Sequence, residues 1–435
     1  MFRPEKRRGI ADVLANGEQP HYIARGLGRS YGDVSVNPGG GVINTTRLNR
    51  MITFDETAGV LECEAGVSLE EILETFVPRG WFLPVTPGTK FVTVGGAIAN
   101  DVHGKNHHID GTFGEHVDRI TLLTPTGSIL SCGPKENEDV FWATVGGIGL
   151  TGIILTATIR LQRITSAYIK VDYRQCTNID ALLASIRETD DKYKYSVAWV
   201  DCISKGAKLG RSVLMSGDHI AANELPKQYG HALSIPSKAK KNVPFNLPGF
   251  LLNPLSIGAF NTLFYAAHPS KQGQITDYDK YFYPLDAIHN WNRGYGKNGF
   301  AQYQATFPQE GVEGLVKLLE KLSASGRASF LAVLKRMGPG SKGLLSHPID
   351  GWTLTLDIPV KDGIVQFLNE SDDLVAKYNG RLYTAKDSCT RPEVFAAMYP
   401  RLKEFKAIKA KLDPAGKLSS RLARRCGIVE GPVGP

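Results

Sequence analysis

The sequence has few cysteines, and none of them stands in a paired motif. Six cysteines are scattered over 435 residues, without a CxxC spacing. Zinc knuckles and disulfide frameworks both need cysteines at short, regular spacings. The pattern excludes both and favours a protein of a reducing compartment.

Long apolar runs are also missing. Residues 149–159, GLTGIILTATI, are too few for a membrane span and are broken by threonines. The N-terminal MFRPEKRRGIADVL has no apolar segment behind its basic residues, so we predict no signal peptide. We therefore expect a cytoplasmic protein.

Acidic residues are in deficit: 51 Lys and Arg against 43 Asp and Glu give a net charge of +8. This balance favours an anionic partner, such as a phosphate or the inner-membrane surface, although a solvated basic surface also explains it. The basic clusters 237–241 (SKAKK) and 421–425 (RLARR) lack interleaved aromatic residues. We therefore predict no nucleic-acid partner.

The length exceeds that of a usual single core, so we expect two domains. Residues 20–165 consist of short β-branched runs separated by glycines, with one helix introduced by a capping box at Ser68 and Glu71. Residues 300–385 alternate in the order β-α-β-β-α-β, which predicts an antiparallel sheet with helices on one face. The fold class is α+β.

Residues 235–275 are apolar and aromatic, but they contain prolines and glycines that we expect to prevent a regular helix. Two interpretations remain open. The segment is either a buried irregular connection or a mobile lid over an apolar substrate.

Three glycine-bearing segments lie in the first region: 25–33 (RGLGRSYGD), 87–101 (PGTKFVTVGGAIAND) and 145–152 (VGGIGLTG). In the first, the third glycine comes one residue late for a dinucleotide fingerprint, and no helical sequence follows. Glycines let backbone N–H groups approach phosphate, and a helix starting near Gly95 would favour a pyrophosphate. Together the segments predict a large phosphate-containing cofactor.

Three histidines, His103, His107 and His108, follow the second glycine segment. They lack the cysteine or carboxylate pattern of a metal site, and Gly104 opposes a helix that would put His103 and His107 on one face. We predict no metal, and structural roles for His107 and His108.

Several long strings, in order along nearly the whole chain, resemble the decaprenylphosphoryl-ribose 2′-oxidase family, FAD enzymes of the vanillyl-alcohol-oxidase (PCMH) type. The strings are ARGLGRSYGD, PVTPGTKFVTVGGAIANDVHGKNHH, FWATVGGIGLTGII, WNRGYG, GRLYTAKDS and LDPAGKLSSRLARR. The resemblance implies an FAD domain at 1–168, a substrate domain at 169–380, and a C-terminal segment, 381–435, that completes the FAD domain.

The resemblance also implies the site residues. Flavin contacts fall on Ala24, Arg25, Gly26, Leu27, Gly28, Arg29, Ser30, Tyr31, Gly32, Asp33, Val34, Gly88, Thr93, Val94, Gly95, Gly96, Asn100, Asp101, Val102, His103, Leu155 and Tyr383. Arg29 takes the place of the histidine that bonds covalently to flavin in many proteins of this fold, so we predict non-covalent FAD.

Lys386, at the end of the last strand, matches the family's active-site lysine, and Tyr31 and His103 are further catalytic candidates. Lys386 could accept the substrate proton or anchor a phosphate. The substrate pocket is assigned to Gln302, Gln304, Lys335, Thr355 and Lys386. Gln302 and Gln304 share one strand face, and Lys335 is expected on the neighbouring strand.

The sequence departs from the family pattern at three positions near the pocket. Thr353 and Thr355 stand where mycobacterial members carry Asn and Cys, and Ile148 stands where an asparagine is usual. These changes leave the identity of the sugar open.

The leading interpretation is oxidation of a sugar hydroxyl to a ketone on a polyprenyl-phosphate sugar, the first half of an epimerisation. A short-chain NAD(P)H-dependent reductase would be the partner. The alternative is a soluble sugar or aldonolactone oxidase of the same fold. A third class is a flavin- or lipid-binding protein without turnover.

Overall fold

The computed structural model describes residues 1–236, 239–249, 252–327, 329 and 331–434. Three internal pairs of residues lie outside the described residues: Ser237 and Lys238 of the SKAKK cluster, Phe250 and Leu251 of the apolar segment, and Ala328 and Phe330 of the second strand predicted in residues 300–385.

Helices and strands are labelled in chain order. The helices are α1 Arg7–Asn16, α2 Leu69–Phe76, α3 Val94–Ala99, α4 His107–Asp110, α5 Glu138–Thr144, α6 Ile179–Thr189, α7 Pro254–Ala267, α8 Tyr278–Phe282, α9 Val312–Ser325, α10 Ile364–Lys377, α11 Pro392–Met398, α12 Leu402–Leu412 and α13 Arg421–Arg425. The strands are β1 Tyr22–Arg25, β2 Gly41–Asn44, β3 Met51–Asp55, β4 Val60–Glu64, β5 Trp81–Phe82, β6 Val117–Leu123, β7 Ile129–Cys132, β8 Ile153–Arg160, β9 Gln162–Arg163, β10 Tyr168–Cys176, β11 Tyr195–Val200, β12 Ser212–His219, β13 Lys241–Asn242, β14 Lys271–Asp277, β15 Ile288–His289, β16 Phe300–Pro308, β17 Ala332–Met337, β18 Gly351–Pro359 and β19 Arg381–Leu382.

An antiparallel five-stranded sheet, in the order β3-β4-β8-β6-β7, organises the N-terminal region. Helix α2 begins as predicted, because the Ser68 hydroxyl accepts from the Glu71 N–H at 3.1 Å and the Glu71 carboxylate accepts from the Ser68 N–H at 2.7 Å. Its apolar stripe of Leu69, Ile72 and Phe76 is buried.

A second antiparallel sheet has eight strands in the order β14-β10-β12-β11-β17-β18-β16-β19. It contains the predicted β-α-β-β-α-β order as β16-α9-β17-β18-α10-β19, so the α+β prediction is confirmed. Side chains alternate along these strands: Leu334, Leu354 and Tyr303 pack in a core with helices α6, α9 and α10. Lys335 and Gln304 therefore point to the opposite face.

Lys335 was expected on the strand next to Gln302 and Gln304. This detail is wrong, because β18 lies between β17 and β16 and pairs with both. The consequence is that Lys335 is opposite Thr353, while Gln304 is opposite Thr355.

The C-terminal residues return to the N-terminal region. Leu418 forms an isolated parallel bridge with Tyr22. In α13, Arg425 makes ion pairs with Asp33 at 2.8 Å and Asp387 at 3.0 Å. Arg424 is buried and Arg425 is largely covered by its ion pairs, so these two residues of the RLARR cluster are not part of an exposed basic patch.

The expectation that prolines and glycines prevent a helix in residues 235–275 is wrong. Helix α7 runs over Pro254–Ala267, with Pro254 at its first position, where a proline has no intrahelical hydrogen bond to lose. The Asn253 side chain caps it by accepting from the Leu255 and Ser256 N–H groups at 2.8 and 3.1 Å. Within the described ranges, no helix is long and apolar enough to cross a bilayer.

Candidate active site

One large cavity lies between the glycine segments and the open face of the eight-stranded sheet, with a volume of about 1590 Å³. The predicted site residues that line it are Ala24, Arg25, Gly26, Leu27, Gly28, Arg29, Ser30, Tyr31, Val34, Gly88, Thr93, Gly95, Gly96, Asn100, Val102, His103, Gln302, Gln304, Lys335, Thr355, Tyr383 and Lys386. Ligand pockets are commonly about 300–1,000 Å³, so this cavity has room for a large cofactor and a second ligand.

Five predicted flavin contacts do not line this cavity: Gly32, Asp33, Val94, Asp101 and Leu155. Val94 and Leu155 are buried in apolar cores. A Cβ on Gly32 would lie 1.6 Å from the Asp387 carbonyl oxygen, so this glycine allows the first glycine segment to lie against the residues after Lys386. Asp33 stabilises the same contact, because Arg425 forms ion pairs with both Asp33 and Asp387.

Asp101 does not line the cavity but holds the backbone of residues that do. The fully buried carboxylate accepts from the Ser341 hydroxyl at 2.6 Å, the Ser346 hydroxyl at 2.5 Å and the Gly114 N–H at 3.1 Å. These bonds fix the turn between α3 and the histidine segment, where Asp101 has a positive φ of 40°.

Two glycines of the cavity wall lie so close to neighbouring residues that a side chain would not fit. A Cβ on Gly26 would lie 2.2 Å from Thr93 Oγ1, and one on Gly95 would lie 2.9 Å from the Ala65 Cβ. Thr93 in turn caps α3 by accepting from the Gly96 N–H at 3.2 Å. The expected helix start beside Gly95 is confirmed, and the wall that it forms is bare backbone.

Two buried polar atoms on this wall have no partner among the described residues: Asn100 Oδ1 and His103 Nδ1. Asn100 is held by its amide nitrogen, which donates to the Gly96 carbonyl at 2.9 Å. Unpaired polar atoms beside bare backbone fit a cofactor with many polar groups, since a bound ligand can satisfy them.

The third glycine segment contains the departure at Ile148. Its φ is +50°, a left-handed conformation that a β-branched side chain rarely adopts and that asparagine tolerates. The asparagine of the family pattern therefore suits this backbone, and Ile148 keeps the same turn with its side chain at the cavity wall.

His103 and Gln304 meet at the centre of the cavity. The Gln304 amide nitrogen lies 2.9 Å from His103 Nε2 and 3.1 Å from the Thr353 hydroxyl. Burial and the nearby positive charge of Lys335 lower the pKa of His103 well below its usual value, so its imidazole is neutral. The Tyr383 ring packs 5.3 Å from the His103 ring, and its hydroxyl donates to the Asn100 carbonyl at 2.9 Å.

The other two histidines have structural contacts. His107 Nδ1 accepts from the Gly338 N–H at 3.0 Å, and His108 Nε2 lies 3.1 Å from the Tyr193 carbonyl. Within the described ranges, no group of three or more His, Cys, Asp or Glu residues is arranged to hold a metal.

Lys386 and Tyr31 form a pair at the wall shared by the first glycine segment and β16. The Lys386 ammonium lies 4.0 Å from the centre of the Tyr31 ring. Burial lowers the pKa of Lys386 to about 7, although the negative charge of Asp357 opposes the shift. Burial, then the Asp357 charge, raises the pKa of the Tyr31 phenol above its usual value.

Asp357 is a buried acidic residue near Lys386 that none of the sequence motifs indicates. It is fully buried on β18, opposite Gln302, whose amide donates to it at 2.6 Å. The Tyr295 hydroxyl donates to its other oxygen at 3.4 Å, and burial raises the pKa of the carboxyl to about 6. The only indication of this residue in the sequence is that it is the single acidic residue of the apolar strand WTLTLDIP.

Lys105 is a second residue that sequence reasoning did not assign to the site. It lines the cavity beside His103, donates to the Tyr281 carbonyl, and lies 4.1 Å from the Tyr281 ring centre. Burial, with the positive charge of Lys335, lowers its pKa to about 7. Burial alone lowers the pKa of Lys335 to about 8.

The remaining wall is apolar and aromatic. Helix α7 contributes Ile257, Phe260 and Phe264, and the Phe264 ring lies 4.5 Å from that of Trp199 on β11. Trp291 contributes from the loop before β16. Sequence reasoning identified this segment as apolar but not as a helix.

Two family models match parts of the chain. The FAD binding domain matches residues 2–133, and D-arabinono-1,4-lactone oxidase matches residues 356–426, which contain Asp357 and Lys386. The chain is therefore an FAD-dependent oxidoreductase, and the fit of the glycine segments to a large cofactor agrees with this match.

Similar proteins cover more of the chain. It is 42% identical over 410 residues to decaprenylphosphoryl-β-D-ribose oxidase of Mycolicibacterium smegmatis, which is 94% of this chain and 89% of the relative. It is 34% identical over 373 residues to an uncharacterized protein of Streptomyces coelicolor, 83% of this chain and 100% of the relative. The similarity to bovine L-gulonolactone oxidase, 30% identical over 163 residues, spans 37% of this chain and 36% of that enzyme.

Proposed function

The chain belongs to the decaprenylphosphoryl-β-D-ribose oxidase family, and we propose that it oxidises the 2′-hydroxyl of a polyprenylphosphoryl-ribose-like substrate to a ketone. The observation that carries this proposal is a single cavity that joins bare glycine backbone and partly buried lysines to an aromatic, apolar wall. The glycine backbone suits a cofactor phosphate, the lysines suit a sugar phosphate, and the aromatic wall suits an isoprenoid chain.

FAD, when bound, supplies the acceptor for the hydride that leaves the carbinol carbon. The residues of this chain must then remove the hydroxyl proton. Lys386 is suited to accept it, because a lysine whose pKa is about 7 is partly neutral at physiological pH. Asp357 and Tyr31 hold the ammonium that results, through opposite charge and through the ring face.

His103 and Gln304 orient the sugar in this proposal. Both lie at the centre of the cavity, and the neutral imidazole can donate or accept a hydrogen bond but adds no charge. Thr355, opposite Gln304 on β18, lies at the cavity wall and completes this polar surface.

We infer from the same cavity which parts of the chain bind the cofactor and which bind the substrate. Residues 1–168 with 381–435 hold FAD without a covalent bond, since Arg29 occupies the position of the linking histidine. Residues 169–380 bind the substrate. The ion pairs of Arg425 with Asp33 and Asp387 support joining the terminal segment to the first domain.

An epimerisation needs a second hydride transfer, which returns a hydride to the opposite face of the ketone. The first glycine segment departs from the dinucleotide fingerprint, so we assign this second step to a separate short-chain NAD(P)H-dependent reductase. In this scheme the partner consumes the ketone that leaves the cavity.

Peripheral contact with an anionic membrane is part of the proposal. Leu255 and Leu263 on α7 are 86% and 71% exposed, and the basic net charge adds electrostatic attraction. We expect the protein to sediment with anionic vesicles at low ionic strength and to be released as salt rises. An absence of sedimentation at every salt concentration would remove this contact from the proposal.

The test of the function is anaerobic bleaching of the bound flavin. We expect polyprenylphosphoryl ribose to bleach it and free ribose or an aldonolactone to leave it oxidised. Because a D-arabinono-1,4-lactone oxidase model matches residues 356–426, the competing function is a soluble sugar or aldonolactone oxidase. Faster bleaching by an aldonolactone or free sugar than by the lipid phosphate would favour that function and overturn ours.

A further inference from the structure

Two partly buried lysines of the cavity wall, Lys105 and Lys335, have no carboxylate partner among the described residues, whereas Lys386 has Asp357 nearby and Lys280 is exposed. The Lys105 ammonium has three donors, of which the Tyr281 carbonyl accepts one. The side chain of Lys335 forms no hydrogen bond within the described part of the chain, although its strand is paired on both sides. Both lysines therefore have donors to offer to a ligand.

The sheet register separates Lys335 from Asp357, the buried carboxylate on the strand between β17 and β16. Lys335 is opposite Thr353, and Asp357 is opposite Gln302. Thr353 and Asp357 are four residues apart on β18, which is about 13 Å along a strand. The carboxylate therefore serves Lys386, not Lys335.

Between these two rows lies a third, in which Thr355 is opposite both Gln304 and Val333. Gln304 is the residue that contacts His103. The open face of the sheet thus presents three successive rows: a lysine without an acidic partner, the His103–Gln304 pair, and the Asp357 row beside Lys386.

Buried ammonium groups are unfavourable unless an anion compensates them. Lys105 and Lys335 also repel each other, since the charge of Lys335 is one cause of the lowered pKa of Lys105. A bound anion would relieve both penalties, and a phosphate group has enough oxygens to accept from two lysines at once.

We propose that Lys105 and Lys335 form a subsite for the phosphate of the substrate, distinct from the glycine segments that face the cofactor. Lys386 is then the proton acceptor, and not the phosphate anchor. This inference rests on the proposed function for the identity of the ligand, but phosphate binding itself requires no turnover. The apolar wall begins beside the subsite, because Val333, two residues from Lys335, is opposite Trp199.

The test is calorimetric titration of the FAD-loaded protein with geranyl phosphate, and with geraniol as the uncharged control. For Lys105→Gln and for Lys335→Gln we expect affinity for geranyl phosphate to fall about 10-fold, the scale of a hydrogen bond to a charged group. Affinity for geraniol should stay within about 2-fold of the original protein, because the lysines contact only the phosphate in this proposal.

Two further variants make the result specific. Lys280→Gln removes an exposed lysine at the same cavity and should leave geranyl phosphate affinity unchanged. Lys386→Gln removes the proton acceptor and should lower this affinity less than either Lys105→Gln or Lys335→Gln. Full affinity in both Lys105→Gln and Lys335→Gln would overturn the subsite, as would a loss confined to Lys386→Gln. Lysine-dependent phosphate binding in a protein whose flavin is not bleached by polyprenylphosphoryl ribose would instead refute the proposed function and leave the subsite standing.

Discussion

At one end of the cavity, the glycine segments form a wall of backbone in contacts that leave no room for a Cβ. At the other end, α7 and β11 present large side chains, such as Phe264 and Trp199, on a helix and a strand. Short glycine motifs determine the structure of the first end, whereas packing between residues far apart in the sequence determines that of the second. The difference suggests that the cofactor end tolerates few substitutions and that the apolar end tolerates many.

The largest effect is expected for Lys386→Ala. FAD should remain bound, but flavin reduction by substrate should fall by about 10²-fold or more, because a positioned proton acceptor is lost. Stopped-flow absorbance under anaerobic conditions measures it. A variant that reduces its flavin at the original rate would remove Lys386 from the mechanism and leave the cofactor end as a binding surface only.

The next prediction tests the close contacts at the cofactor end. In Gly26→Ala, the new Cβ would displace the Thr93 hydroxyl that caps α3. Because overpacking of this kind costs about 1–3 kcal/mol, we expect the FAD content of the purified protein to fall about 10-fold. The flavin-to-protein absorbance ratio reports it.

Gly88→Ala is the matched control, because Gly88 lines the same cavity and a Cβ there would meet nothing within 4 Å. It should keep its FAD. Equal FAD content in the two alanine variants would show that the close contacts do not select the cofactor.

The pH profile of flavin reduction tests the charge state of Lys386, which the glycine substitutions do not address. Only neutral Lys386 accepts a proton, so the rate should rise with pH through about 7, the lowered pKa of this lysine. Asp357 favours the charged form. In Asp357→Asn the pKa of Lys386 should therefore fall further, and the acidic limb should move to lower pH by about one unit. An acidic limb that stays in place would assign it to another group.

The smallest effect is expected at the apolar end. Phe264→Ala removes one aromatic contact from the wall, so the KM for a long-chain substrate should rise about 5-fold, while that for a substrate with a truncated chain should not change. Leu263→Ala, on the same helix but exposed, is the control. An equal rise in KM for both chain lengths would mean that the isoprenoid does not lie against α7.

The same contrast explains what the sequence could predict. The capping box at Ser68 and the β-α-β-β-α-β order are local patterns, and both are confirmed. Helix α7 does not follow from composition, because the same proline that breaks a helix in its interior is tolerated at its first position, where Pro254 lies. Asp357 lies in none of the family strings, and only the sheet register brings it opposite Gln302. Lys105 lies within one of these strings, but the fold of its loop, and not the string, places it at the cavity. Likewise, the acidic partners of Arg425 lie 392 and 38 residues away along the chain.

In the proposed reaction, the hydrogen at C2 of a lipid-linked ribose leaves as hydride within this cavity. The most direct test compares anaerobic flavin reduction by polyprenylphosphoryl ribose carrying deuterium at C2 with reduction by the same compound carrying deuterium at C3. We predict that deuterium at C2 slows reduction several-fold and that deuterium at C3 does not. Equal rates for the C2-deuterated and unlabelled substrates in a reaction limited by chemistry, or slowing by C3 deuterium alone, would contradict the account.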